Sequence, residues 1–356
     1  MENFKALANL LKINGCKVPQ VVLSKLLAGT FNVASSSADS LEIGLDSCII
    51  PLASGRSPSP LYLIQSTDFF YPLVTHPHIM GAIACANVLS DIYAVGVTDI
   101  DALQMIVGIS TQLTEDERDI IVPMLIEGFK AQASVAGVNI SKVAVKLNPW
   151  MTIGGVVTSV CSSEEFVMPN QAQPGDVIIL TKPLGTQMSV TIRSWLKNEE
   201  KLSFLKSIKV DSAMLKQCVN SAITLMATIN KKAAILMKKY NAHACTDVTG
   251  YGLTGHATNL VKYQTNSVNF MIHTLPILYP LGVIASRPGT RFYQNVNRGH
   301  GIETSGGLFI CLPEDHAKDF IKEMNGLAWI IGKVTPGDRS VIIKDSPDIF
   351  HVTLIR

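Results

Sequence analysis

Hydrophobic and polar positions recur along this chain with two periods, and the switches between them outline its elements. Residues 4–11 and 21–27 carry amphipathic helical patterns, separated by Asn14-Gly15-Cys16-Lys17-Val18-Pro19, where Asn-Gly is a turn signal. The apolar runs 41–52 and 61–65 are each about one strand long. They flank the Ser- and Pro-rich stretch 54–60, which predicts an antiparallel pair with an exposed connection. Over 78–95, Met80, Ile83, Ala84, Val88 and Ile92 return with a helical period. Thr114 and Glu117 form a capping box, predicting a long helix that runs to about residue 136 and stops at Gly137. Residues 142–147 and 151–161 then read as strands.

The turn-forming cluster from Pro169 through Pro174, Gly175 and Asp176 is the best boundary, and it places a domain break near residue 168. The chain therefore divides into a glycine-containing segment (1–35), an N-terminal domain (36–168) and a C-terminal domain (169–356). The last begins with a strand at 177–181, the loop Lys182-Pro183-Leu184-Gly185-Thr186 and a helix through Trp195. One long helix is expected over 212–240, followed by the block Thr246-Asp247-Val248-Thr249-Gly250-Tyr251-Gly252 and another helix. Ser305-Gly306-Gly307 precedes a strand at 308–312. Strands and helices alternate irregularly, which predicts a mixed α/β fold.

Composition narrows the function. In 356 residues, 47% are hydrophobic and only 16% charged, enough apolar surface for a large core and a subunit interface. The net charge of +2 offers no field for holding nucleic acid, and the lysine cluster 231, 232, 238 and 239 reads as a solvated helix end. Seven scattered cysteines without a C-x-x-C pair argue against a disulfide framework and a structural zinc site. The start lacks a secretory pattern. The uncharged stretches 69–90 and 263–286 are interrupted by prolines and by histidines or asparagines, which fits buried segments better than membrane spans. A cytoplasmic protein is expected.

Four aspartates lie beside apolar segments: Asp46, Asp68, Asp91 and Asp247. A buried carboxylate needs a partner, and several that converge make the usual platform for Mg²⁺ bound to phosphates. Capping of nearby backbone amides is the plainer alternative for any one of them. Glycine clusters at 154–155, 250–255 and 306–307 could cradle phosphate but match no dinucleotide or P-loop fingerprint. Lys17, on its glycine loop, is a suitable point charge for a transferring phosphoryl group, or a surface lysine on a turn. His243 and His256 read as core or capping histidines. The local chemistry points to phosphate and Mg²⁺, with ATP as the natural source.

Several segments together resemble the selenophosphate synthetases (selenide, water dikinases), in particular the animal type. They include Gly15-Cys16-Lys17-Val18-Pro19, Gly44-Leu45-Asp46-Ser47-Cys48, Ser66-Thr67-Asp68-Phe69-Phe70 and Cys85-Ala86-Asn87-Val88-Leu89-Ser90-Asp91. Further on come Leu147-Asn148-Pro149-Trp150, Thr181-Lys182-Pro183-Leu184-Gly185-Thr186-Gln187, Thr246-Asp247-Val248-Thr249-Gly250 and Glu303-Thr304-Ser305-Gly306-Gly307. They stand in the family's order over nearly the whole chain. The resemblance implies a two-domain α/β fold of the aminoimidazole ribonucleotide synthetase type, whose N-terminal sheet forms a barrel across a homodimer. It also implies conversion of ATP, selenide and water to selenophosphate, AMP and phosphate. Its Mg²⁺ ligands map onto Asp46, Asp91 and Asp247, and its ATP contacts onto Lys17, Gly44, Leu45, Asp46, Asp68 and Asp91.

Two positions depart from the pattern. Active members carry Cys or selenocysteine where this chain has Asn14, and a carboxamide can neither attack nor carry selenium. A glycine-containing ATP loop of the family is here Lys142-Val143-Ala144-Val145. The expectation is therefore double: a selenide, water dikinase, or a paralogue that keeps the fold as a dimeric regulatory protein, alone or paired with an active synthetase.

Overall fold

The structure is a computed structural model that describes residues 46–52, 60–287, 290 and 295–354. Lys17, Asn14, Gly44 and Leu45 lie outside these residues, as does the expected segment 1–35. The chain divides into two compact units that meet between Phe166 and Val167.

In the first unit, β1 (Cys48–Pro51) and β2 (Leu61–Phe70) form the expected antiparallel pair. There follow α1 (Pro77–Val88), α2 (Ser90–Ala94), β3 (Ala102–Ser110), α3 (Glu115–Ala136), β4 (Ile140–Asn148) and β5 (Thr152–Ser162). Among the described residues these strands make a five-stranded sheet in the order β1-β2-β5-β3-β4, antiparallel except for β3 and β4. The α3 capping box is present, with the Thr114 side chain accepting from the Glu117 amide, and Gly137 ends the helix at φ 78°. The helix expected over 78–95 is two pieces, interrupted at Leu89. α1 and α3 cross where glycine removes the side chain: a Cβ on Gly128 would stand 1.8 Å from the His78 carbonyl oxygen. Ile64, Phe70, Met105 and Val157 are buried in this unit's core.

The second unit begins with β6 (Asp176–Leu180), α4 (Thr186–Thr191), a 3₁₀ turn (Ile192–Lys197) and α5 (Glu199–Ser207). It continues with α6 (Ser212–Ala227), α7 (Lys231–Lys239), β7 (Ala244–Asp247), α8 (Gly252–Lys262), β8 (Val268–Leu278) and α9 (Leu281–Ala285). The last elements are β9 (Leu308–Pro313), α10 (Glu314–Glu323), β10 (Trp329–Pro336) and β11 (Val341–Val352). Their sheet runs β11-β8-β10-β6-β9-β7 among the described residues. The uncharged stretch 263–286 supplies β8 and α9, and no described helix is long and apolar enough to cross a membrane.

The single helix expected over 212–240 is instead α6 and α7, split at Thr228. Periodicity alone could not find this break, because its cause is tertiary. The Thr228 carbonyl accepts from Lys182 Nζ at 2.6 Å, and Asn230 Nδ2 donates to the Gly306 carbonyl at 2.8 Å. Both side chains are buried, so these bonds outweigh continuation of the helix.

Candidate functional site

β2 alternates its side chains, so Ser66 and Asp68 face the same side of the first unit's sheet. Both meet residues of the α1–α2 junction. Ser66 Oγ donates to Asp91 Oδ2 at 2.6 Å, and Asn87 Nδ2 donates to Asp68 Oδ2 at 2.5 Å. The interruption at Leu89 thus brings Asp91, in the first turn of α2, and Asp68 to one place in this unit. Asp46 stands two residues before β1, half-buried. Beside it Ser47 is buried, and its Oγ has no hydrogen-bond partner among the described residues.

In the second unit, the C-terminal ends of β6 and β7 lie at the end of the sheet where β9 begins. Three connections meet there, and most of their polar side chains are buried. Asp247, the last residue of β7, is only 1% exposed. A carboxylate oxygen of Asp247 and a ring nitrogen of His256 come within 4.8 Å of each other. His256 also lies 3.2 Å from Thr249 Oγ1. His256, by sequence a core or capping histidine, is thus brought to Asp247 by the fold. His243 instead ties β7 to β6, with Nδ1 2.9 Å from Asp176 Oδ1.

Lys182 and Glu303, which the sequence marks only as members of motifs, organise this end of the unit. Lys182 is buried and donates from Nζ to the carbonyls of Thr228 and, at 2.7 Å, Ser305. Burial pulls its ammonium down to about 7, against the opposing charge of Asp247. Glu303 is 1% exposed and accepts from the Gly185 amide at 2.6 Å, the Thr186 amide at 2.8 Å and the Thr186 hydroxyl. Burial pushes its carboxyl up to about 7, against these hydrogen bonds. Thr304 Oγ1 donates to Gln187 Oε1 at 3.0 Å, and Ser305 sits at φ 44°, a left-handed conformation costing about 1–3 kcal/mol away from glycine.

The glycines at this end serve close packing. A Cβ on Gly306 would stand 2.0 Å from the Val248 carbonyl oxygen, and one on Gly307 would stand 2.3 Å from the Lys182 amide nitrogen. The backbone amides of Gly185 and Thr186, which a glycine loop could turn toward phosphate, are occupied by Glu303. Burial raises the thiols of Cys85 and Cys311 and pushes Cys218 up to about 11, so none of the three is an activated nucleophile. Lys142 to Val145 form an unbroken stretch of the edge strand β4, each paired in turn with Gln104 to Val107.

Comparison with known proteins agrees with this architecture. The AIR synthase related protein N-terminal domain matches residues 45–161, and the corresponding C-terminal domain matches residues 173–345. Selenide, water dikinase 3 of Danio rerio is 42% identical over an alignment covering 96% of this chain and 84% of that protein. The selenide, water dikinase of Dictyostelium discoideum is 41% identical, covering 96% and 93% respectively. Among solved structures, AaThiL complexed with AMPPCP and TMP superposes with a TM-score of 0.63 at 18% identity, over 92% of this chain and 94% of that one, a likeness of fold. On the identity and coverage of these relatives, and on both domain matches, the chain belongs to the selenide, water dikinase family.

Proposed function

We propose that this chain is an ATP-dependent phosphotransferase of the selenide, water dikinase type, converting ATP, selenide and water to selenophosphate, AMP and phosphate. The observation that most supports this reading is the placement of Asp247, a carboxylate oxygen donor buried at the end of β7 with a ring nitrogen of His256 within 4.8 Å. Asp46, Asp91 and Asp247 would hold Mg²⁺. The donor set fits, since these are hard oxygen ligands of the kind magnesium prefers, and the buried Ser47 hydroxyl adds an oxygen beside Asp46. Bound Mg²⁺ would neutralise charge on the phosphates. Lys17, Gly44, Leu45, Asp46, Asp68 and Asp91 would contact ATP, with Asn87 and Ser66 orienting the last two acids. Lys17 would offset charge on the phosphoryl group in transfer.

A homodimer fits the first unit's sheet. On the face opposite the Ile64, Phe70 and Val157 core, Ile50, Leu63 and Val160 stand side by side across β1, β2 and β5. Phe69, on the same face, is 58% exposed. A second copy would cover this apolar face and join the two sheets into a barrel. A cytoplasmic location accompanies this reading.

A second reading, a paralogue without turnover that acts through its homodimer or a heterodimer with an active synthetase, draws support from β4. Its regular pairing at 142–145 leaves no glycine loop there, and Asn14 replaces the nucleophile. Anaerobic ³¹P NMR with Mg-ATP, with and without selenide, separates the two, using Asp247→Ala as control. Selenide-dependent AMP and selenophosphate, lost in the control, are the expected result of the first reading. Unchanged ATP in the wild type overturns it. Asn14→Cys is expected not to create synthesis in an inactive wild type, because the 142–145 segment would still differ.

A further inference from the structure

The connection 303–307 supplies none of the residues just assigned, yet much of its end of the second unit is fastened to it. Lys182 Nζ holds the Ser305 carbonyl, Asn230 Nδ2 holds the Gly306 carbonyl, and Thr304 holds Gln187. Two main-chain bonds then hold the two residues that follow Asp247: Val248 N–H donates to the Gly307 carbonyl at 2.9 Å, and Glu303 N–H donates to the Thr249 carbonyl at 3.1 Å. Glu303 anchors the connection at its start, with its carboxylate accepting three hydrogen bonds from Gly185 and Thr186 at the head of α4. That carboxylate is committed to α4, so its influence on Asp247 passes through its own backbone.

We propose that Glu303 is a positioning residue for Asp247: by fixing the 303–307 connection to the head of α4, it sets the backbone on the C-terminal side of Asp247 and hence the direction of the carboxylate. This rests on the reading of Asp247 as a cation ligand. The physical case is preorganisation. An aspartate at a strand end can swing with the turn that follows it, and a ligand held in place binds a cation without the cost of ordering. The left-handed Ser305 belongs to the same arrangement, since a disfavoured backbone conformation persists only where its surroundings over-determine it.

The test is a titration of the full, nucleotide-free chain with Mn²⁺, following the free-ion signal by electron paramagnetic resonance alongside thermal unfolding. The wild type is expected to bind, and Asp247→Ala to bind more weakly. Glu303→Gln, which sets an amide group against hydrogen-bond donors, is expected to weaken binding about 10–100-fold, the usual effect of losing an outer partner of a metal ligand. Thr186→Val removes one of the three donors and covers the case in which Glu303→Gln does not fold. It is expected to weaken binding less, while Thr186→Ser, which keeps the hydroxyl, binds like the wild type. Wild-type Mn²⁺ affinity in folded Glu303→Gln or Thr186→Val, with only a lower melting temperature, overturns the positioning role and leaves Asp247 as a ligand. A wild type that binds no better than Asp247→Ala overturns both.

Discussion

The two units present their acidic residues in opposite ways. In the first, Asp68 and Asp91 each receive a neutral donor, from Asn87 and Ser66 respectively. Both acids keep some solvent exposure. In the second, Asp247 and Glu303 are sealed at 1% exposure, beside a lysine that is itself buried. A neutral donor orients a carboxylate without cancelling its charge, which suits a group that must follow an incoming phosphate or cation. A sealed cluster sets geometry in advance and bears the desolvation cost in the resting protein. The difference separates residues that adapt from residues that template.

The largest expected effect comes from removing the buried cation. Lys182→Met leaves Asp247 and the Ser305 and Thr228 carbonyls without their ammonium, and should lower stability by about 3–5 kcal/mol in urea unfolding. A loss below about 1 kcal/mol would mean that the second unit is no more dependent on compensation than the first.

Next in size is a pH effect. The Glu303 carboxyl is raised from 4.5 to about 7 in the native state, so between those values the folded chain holds a proton that the unfolded chain has released. The stability contributed by this group is complete below pH 4.5 and is lost as pH rises through 7. The slope is at most about 1.4 kcal/mol per pH unit. Glu303→Gln, which does not titrate, should flatten that part of the profile, and urea melts at pH 5 and pH 7 would show whether it does.

A smaller change is expected in the first unit. Ser66→Ala removes one donor to a carboxylate and should cost about 1.5 kcal/mol. A loss as large as that of Lys182→Met would break the contrast between the units. Smallest of all, Thr114→Ala removes the α3 cap and about 1 kcal/mol. Mn²⁺ binding should be untouched, because the cap is exposed and its hydrogen bonds run only between Thr114 and Glu117.

Much of the fold was legible because its signals are local. The capping box at Thr114, the turn at Gly137 and the strand patterns at 142–147 and 151–161 correspond to α3, β4 and β5. The site was legible in part. Asp68, Asp91 and Asp247 were visible as acids beside apolar segments, and the structure gives each a defined setting. Lys182 and Glu303 were not singled out, because nothing in their neighbours along the chain marks them as buried. Their partners lie 46 and 123 residues away for Lys182, and more than a hundred away for Glu303. The same distance hid the break between α6 and α7.

Sequence alone determined the family, the mixed α/β class, the capped helix α3 and the acidic residues available for chemistry. Period, capping and motif order are properties of neighbouring residues, and they survive without a fold. Only the tertiary structure decided that Lys182 interrupts a helix, that Glu303 fills the amides at the head of α4, and that His256 approaches Asp247. Burial is what turns those residues from ordinary polar side chains into determinants, because the strength of a charge or a hydrogen bond depends on the water that folding removes.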